Sequence, residues 1–283
     1  MSSVVYVNGE LLPESEAKLS VFDRATLFGD AVYEVSSVIN GQLIDNKSHL
    51  ERLDRSLAAL SMPKPCSNAE LVRIQETLIE KNGLTEGVVY LQISRGVADR
   101  DFLFPEKPQP SLVMFTQRKN IVALDIEQSA LRVITLPDLR WGRRDIKTVG
   151  LLYSSMAKTE AKKQGAQDAW LVDDQGYITE ATSSNAFILT QENELLTRNT
   201  SHDILHGITR QAVIRLAEST GLTLVERPFT PEEVYNAKEA FSTSASTFVM
   251  PVVEIDSHRI GEGSVGPIAR QLRQIYIGTA STL

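Results

Sequence analysis

Two stretches near the start of the chain run apolar and then turn sharply. Val4 to Val7 is followed by Asn8-Gly9 and Glu10-Leu-Leu12, and Val35-Ser-Ser-Val-Ile39 by Asn40-Gly41 and Gln42-Leu-Ile44. An Asn-Gly pair between apolar runs is a strong hairpin signal, because both residues tolerate the positive φ of a two-residue turn. Antiparallel pairing is therefore predicted in the N-terminal part. The period then changes to that of helices. Leu50, Leu53, Leu57 and Leu60 fall on one face, and Ser48 with Glu51 reads as the capping box that opens it. Ser67 with Glu70 repeats the device ahead of Leu71, Ile74 and Leu78, and Gly83 supplies the stop. Strands are predicted at 88–94 and 111–115, with a polar loop over 97–106 between them.

The stretch Thr116-Gln-Arg-Lys-Asn120 is polar and has no period, which marks a boundary between domains. The reading places an N-terminal domain at 1–116, a linker at 117–121 and a larger C-terminal domain at 122–283. Within the latter, strands are predicted at 131–134, 169–172 and 186–189. A helix over 151–164 ends at Gly165, and a second runs from Gly207-Ile208-Thr209 to Gly221. Thr230-Pro-Glu-Glu233 is a further capping box, with proline at the first helical position. Strands and helices mix without strict alternation, so the predicted class is α+β.

Composition narrows the function. The 283 residues are 42% hydrophobic and 23% charged, with a net charge of -7, and no basic face of the kind a nucleic acid requires. The pairs Arg143-Arg144 and Lys162-Lys163 read as solvated surface. One cysteine, Cys66, excludes an intrachain disulfide and fits a reducing compartment. The chain opens directly into strand-like sequence, and no apolar run approaches the ~20 residues of a membrane helix, so a cytoplasmic protein with no membrane partner is expected. Phosphate-loop, dinucleotide and zinc-protease motifs are missing from the sequence. His202 and His206, spaced four apart, precede Gly207 where a loop is predicted, and no metal site is expected.

Three segments carry chemistry that pattern alone leaves open. Lys147, in Asp145-Ile-Lys-Thr148, is either a surface lysine near a helix start or an amine able to form a covalent bond to a carbonyl. Thr179-Glu-Ala-Thr-Ser-Ser-Asn185 reads as a turn before a strand. Gly207-Ile-Thr209 opens a helix whose free N–H groups and dipole suit a phosphate, although most such termini bind only a cap and water.

Taken in order, six stretches resemble the fold-type IV pyridoxal-phosphate family, and within it the D-amino-acid aminotransferases. They are Asp23-Arg-Ala-Thr-Leu-Phe-Gly-Asp-Ala-Val-Tyr-Glu34, His49-Leu-Glu-Arg-Leu53, Arg95-Gly96 with Arg100 and Phe104-Pro-Glu106, Asp145-Ile-Lys147, Thr179 to Asn185, and Gly207-Ile-Thr-Arg210. The resemblance implies a two-domain α+β fold, a small N-terminal and a larger C-terminal α/β domain, with pyridoxal 5'-phosphate in the cleft between them. It implies that Lys147 holds the cofactor covalently and moves the substrate proton. Glu180 matches the carboxylate that pairs with the ring nitrogen, and Arg52, Ile208 and Thr209 match the phosphate site. Ser184 and Asn185 belong to the same cofactor-binding stretches.

Tyr33 and Arg100 match the residues that receive the substrate carboxylate. The loop bearing Arg100 comes from the partner subunit in that family, so a homodimer is implied. The reaction implied is transfer of an amino group from a D-amino acid, or an (R)-amine, to a 2-oxo acid such as 2-oxoglutarate or pyruvate. The alternatives on the same fold are 4-amino-4-deoxychorismate lyase and a branched-chain L-amino-acid aminotransferase. A non-catalytic binding protein is a third reading, against which Lys147 and Glu180 stand together. The chain departs from the pattern at three places. Phe102 stands where the family carries histidine, and Ser37 where it tends to carry lysine. Ala245 falls where a phosphate-binding hydroxyl is expected, with Ser244 and Ser246 on either side.

Overall fold

In the computed structural model, which describes residues 3–219 and 221–281, Asn8 and Gly9 take φ of 49° and 105° and join β1 (Val4–Val7) to β2 (Glu10–Pro13). A short helix, α1 (Arg24–Phe28), leads into β3 (Ala31–Ile39). The second Asn-Gly turn, with φ of 52° and 77°, joins β3 to β4 (Gln42–Leu43). Two helices follow, α2 (Asn46–Ala59) and α3 (Asn68–Lys81), and then the long strands β5 (Glu86–Ser94) and β6 (Ser111–Arg118). Both hairpins form where the Asn-Gly pairs predict them.

The six strands make one sheet in the order β2-β1-β6-β5-β3-β4. One face packs against α2 and α3 through Leu50, Leu53, Leu57, Leu71, Ile74 and Leu78, which meet Leu91, Ile93, Leu112 and Met114 of the strands. The opposite face is only half buried. Tyr33, Tyr90 and Phe115 stack across it, with ring centroids 5.5 Å and then 4.7 Å apart.

Two details of this unit differ from the sequence reading. Helix α2 begins at Asn46, after Asp45 in the left-handed conformation, so Ser48 is inside the helix and caps nothing. The leucine period holds, but the helix starts four residues ahead of it, at Asn46. Thr116 to Arg118 continue β6, paired with Gly87 to Val89. A strand end with solvent on both sides has no apolar alternation to reveal it.

The chain divides into two units by its internal contacts. The first runs to Ile121 and takes back Ile146–Gly150, the segment that contains Lys147. The second holds Val122–Asp145 and the described residues from Leu151 onward. In chain order its elements are α4 (Ile126–Ser129), β7 (Leu131–Pro137), α5 (Leu152–Lys163), β8 (Asp168–Val172), β9 (Ile178–Ala181), β10 (Asn185–Leu189) and β11 (Glu194–Thr197). Then come α6 (Ile208–Ser219), β12 (Thr223–Glu226), α7 (Pro231–Tyr235), β13 (Glu239–Ser244), β14 (Phe248–Ile255), β15 (His258–Arg259) and α8 (Pro267–Ser281).

Among the described residues these strands form a nine-stranded mixed sheet, β12-β11-β10-β13-β14-β7-β8-β9, with β15 on β14. Strand β10 is buried along its whole length because both sheet faces are covered. Ala186 and Ile188 join a cluster with Trp170 and Phe229, while Phe187 points the other way to Val213, Ala217 and Leu272 of α6 and α8. Glu239 accepts the N–H groups of Ile268 and Ala269 at 3.0 and 2.8 Å and so ties β13 to the start of α8. No helix among the described residues is long and apolar enough to cross a membrane.

The capping difference can be measured. Ser67 accepts the Glu70 N–H at 3.2 Å, so Ser67→Ala is expected to lower stability by about 1 kcal/mol, as for loss of an N-cap. Ser48→Ala is expected to leave stability unchanged or slightly higher, because alanine is the best helix former. Urea midpoints of the two variants check this, and an equal loss in both would place a cap at Ser48 after all.

Candidate active site

The segment bearing Lys147 is held by its backbone. Ile146 is buried in the core between the first sheet and its helices. Tyr33 donates its N–H to the Lys147 carbonyl at 3.0 Å, and Val149 donates to Ala31 at 3.1 Å, so 147–149 lie along β3 as an added strand fragment. The Lys147 N–H donates to the Ser56 hydroxyl at 3.3 Å. The side chain is half buried, and its Nζ lies 4.2 Å from the centre of the Tyr33 ring. The amine therefore stands on the aromatic face of the sheet, beside the residue matched to substrate binding.

Arg52, on α2, directs its guanidinium at a carboxylate of its own unit. Its Nε and Nη2 donate to the two oxygens of Glu34 at 2.8 Å each, and His49 Nδ1 shares Glu34 Oε2 at 2.8 Å. Both partners are almost fully buried. Burial pushes the Glu34 carboxyl up, but the Arg52 charge, its hydrogen bonds and His49 outweigh that and hold it down at about 2.

Arg100 and Phe102 lie on an exposed loop whose base is braced. Asp30 Oδ2 accepts Arg24 Nε at 2.7 Å and Arg95 Nε at 2.8 Å. Arg24 Nη1 then donates to the Asp101 carbonyl at 2.7 Å, and the Arg95 guanidinium lies 3.6 Å from the Phe104 ring centre. Phe102 is 80% exposed, yet its ring meets Phe28 edge-on at 5.6 Å. The Arg100 guanidinium lies over both rings, 5.6 Å from Phe28 and 5.8 Å from Phe102.

The second unit gathers the remaining candidates. Thr179-Glu180 lies in β9, a strand whose polar letters read as a turn in the sequence. All four of its residues are buried. Glu180 Oε1 accepts Arg140 Nη1 at 2.5 Å, and Oε2 accepts Asn185 Nδ2 at 2.9 Å and the Leu205 N–H at 3.1 Å. Asn185 also donates to the Leu205 carbonyl at 2.9 Å. A Cβ on Gly207 would fall 2.0 Å from Asn185 Oδ1, so only glycine lets the start of α6 approach this closely. One asparagine thus links the buried carboxylate to the helix terminus where Ile208 and Thr209 sit, both buried.

Ser184 closes the preceding turn, its carbonyl accepting the Ala181 N–H at 2.7 Å. Ser244 ends β13, next to Thr243, which pairs in register with Asn185. Its hydroxyl meets Thr247 Oγ1 at 2.8 Å and Ser246 Oγ at 3.4 Å, in the half-buried turn that also contains Ala245.

Sequence reasoning misses Asp138 and Arg140 and assigns Arg144 to solvated surface. Asp138 accepts Arg140 Nε and Nη2 at 2.9 and 2.7 Å, Thr179 Oγ1 at 2.7 Å, and pairs with Arg144 at 3.2 Å. Arg144 is 12% exposed, whereas Arg143 pairs with Asp145 and is 41% exposed. The doublet is therefore half surface and half interior. Asp138 and Arg140 are separated by Leu139, a spacing that is legible only once a buried carboxylate is known nearby.

The model of the amino-transferase class IV family matches residues 31–255. The chain belongs to the class IV aminotransferases. A D-alanine aminotransferase of Bacillus licheniformis is 37% identical over 269 residues, covering 95% of this chain and 94% of that protein. One of Staphylococcus aureus is 35% identical over 272 residues, covering 95% of each. Among solved structures, the Thermoproteus uzoniensis branched-chain aminotransferase with norvaline aligns at TM-score 0.87 and 27% identity, over 100% of this chain and 96% of that one. A second branched-chain amino acid aminotransferase, solved with pyridoxamine 5'-phosphate, aligns at TM-score 0.91 and 26% identity, over 100% of this chain and 95% of that one. The branched-chain enzyme of Escherichia coli, at 24% identity, shares the fold. This class IV aminotransferase thus has the fold-type IV architecture over its whole matched length.

The Glu34 pair sets an acid limit on stability. The folded carboxyl titrates at about 2 instead of 4.5, so its contribution is complete above about pH 4.5 and is lost as pH falls toward 2. Arg52→Ala is expected to cost about 3–5 kcal/mol at neutral pH, because it strands a buried charge. The difference from the unsubstituted protein should shrink at pH ~3. Chemical denaturation at both pH values checks it, and a pH-independent difference would mean that Arg52 acts through packing alone.

Proposed function

We propose that this class IV aminotransferase moves the amino group of a D-amino acid to a 2-oxo acid such as pyruvate or 2-oxoglutarate, with pyridoxal 5'-phosphate held through Lys147. The observation that carries the reading is the likeness to D-alanine aminotransferases, 35–37% identical over nearly the whole of both chains. The likeness in shape to branched-chain enzymes comes at 26% identity and supports the fold more than the substrate.

The donor set suits the cofactor. An amine lies on an aromatic face, a buried carboxylate is held among donors with one lone-pair position left, and a helix terminus and a hydroxyl turn suit a phosphate. When bound, pyridoxal phosphate supplies an electrophilic carbonyl and a ring that draws electrons. Lys147 Nζ would hold it covalently and would carry the proton of the substrate Cα. The backbone bonds of 147–149 orient that amine. Glu180 would pair with the ring nitrogen and favour its protonated form. The N–H groups of Ile208 and Thr209 and the hydroxyls of Ser244 and Ser246 would bind the phosphate, and the resemblance adds Arg52 to that role. Ser184, Asn185 and Ala245 line these groups.

Tyr33 and Arg100 receive the substrate carboxylate, and Phe102 makes that end more apolar than a histidine would. The Arg100 loop exposes Phe102, Leu103 and Phe104 by 80, 77 and 58%, apolar surface of the kind that a second subunit covers. We infer from this surface a homodimer in which the loop serves the partner's site.

Two outcomes test the reading. Lys147→Ala should lose the borohydride-reducible adduct with pyridoxal phosphate and nearly all transamination. An adduct that persists would assign the bond to another lysine. Arg100→Ala should lower kcat/KM for D-amino acids roughly 30- to 1,000-fold, as for loss of a charge-assisted contact. It should change an (R)-amine lacking the carboxylate far less. Steady-state kinetics on both substrate types decide this, and equal losses would remove Arg100 from carboxylate recognition.

A further inference from the structure

A carboxylate offers about four lone-pair positions to donors. Glu180 spends two on Oε2, for Asn185 and the Leu205 N–H, and one on Oε1, for Arg140. The position left lies on Oε1, the atom that Arg140 already holds. Any further donor, a ring N–H included, must share that oxygen with the guanidinium. Arg140 is itself held on both remaining sides of its fork by Asp138, whose own position is fixed by Thr179 and Arg144.

We propose that Arg140 is a positioning residue that fixes Oε1 of Glu180 and keeps this buried carboxyl ionised, and that Asp138 sets how much of the Arg140 charge Glu180 receives. The inference rests on the role given to Glu180 above. The electrostatics run the same way. Burial pushes Glu180 up, the Arg140 charge and hydrogen bond and the Leu205 N–H pull it down, and Asp138 pushes it up again, leaving it above the ordinary carboxylate value. The contrast with Glu34 is direct. Glu34 receives a bidentate arginine and a histidine and falls to about 2, whereas Glu180 shares its arginine with a second anion. The charged groups that bear on Glu180 among the described residues are Arg140 and Asp138, with Arg144 behind Asp138. The other groups facing it, Asn185 and Leu205, are neutral donors.

The experiment follows the Glu180 titration by carbon NMR in the full chain with glutamate labelled at the carboxyl carbon, the signal being assigned by its loss in Glu180→Gln. Arg140→Gln should raise the midpoint by about 1–3 pH units, the range for removing an opposite charge at this distance. Arg140→Lys should restore part of that shift. Asp138→Asn should lower the midpoint, because Arg140 then answers to one anion, and this near-isosteric change keeps the test available if Arg140→Gln does not fold.

In the enzyme loaded with pyridoxal phosphate, the acid limb of the kcat/KM profile should move in the same direction as each midpoint. An unmoved midpoint in folded Arg140→Gln, or in Asp138→Asn, would overturn the inference. Failure of the underlying assignment looks different: Glu180→Gln would then bind pyridoxal phosphate with the same absorbance and turnover as the unsubstituted protein, whatever the midpoints do.

Discussion

A carboxylate taken out of water must be matched by donors, or its charge is lost to a proton. Much of this molecule is arranged around that requirement. In the first unit Glu34 lies on β3, and α2 answers it with Arg52 and His49 one turn apart, which fixes the helix against the sheet. In the second unit Glu180 lies in a fully buried strand, and its donors come from three separate stretches of chain at 140, 185 and 205. Satisfying one carboxylate thereby pins the loop at 140, the start of β10 and the approach to α6. The two solutions differ in charge balance, and the direction in which each carboxyl titrates follows from that balance.

Much of the fold is legible in the sequence because its signals are local. Asn8-Gly9 and Asn40-Gly41 form turns whatever surrounds them, and Ser67 and Thr230 cap their helices within three residues. Strand β10 can be read because Ala-Phe-Ile-Leu buries both of its faces. Strand β9 cannot. Its sequence, Ile-Thr-Glu-Ala, is buried through hydrogen bonds to Asp138 and Arg140, and partners 40 residues away leave no trace in a local pattern. Ser48 is misread for a nearer reason, since the helix already begins at Asn46.

The candidate chemistry is legible in a different way. No spacing singles out Lys147, and only the likeness of whole segments to a known family does so. The fold then adds what likeness cannot carry, namely which atoms hold each group. The Arg100 loop is an example. It is exposed, yet Asp30 grips Arg24 and Arg95 beneath it, and Arg24 reaches up to a loop carbonyl. An exposed tip on a braced base presents its side chains in a narrow range of directions, which suits recognition better than a loose loop of equal length would.

The strand fragment at 147–149 has a consequence for motion. Three backbone hydrogen bonds, from Tyr33, from Val149 and to Ser56, anchor the root of Lys147. The amine is then the free end of a tethered arm with a fixed pivot. In the role proposed for it, Nζ would reach its partners by turns about the bonds of its own stem, from a pivot that the sheet holds in place.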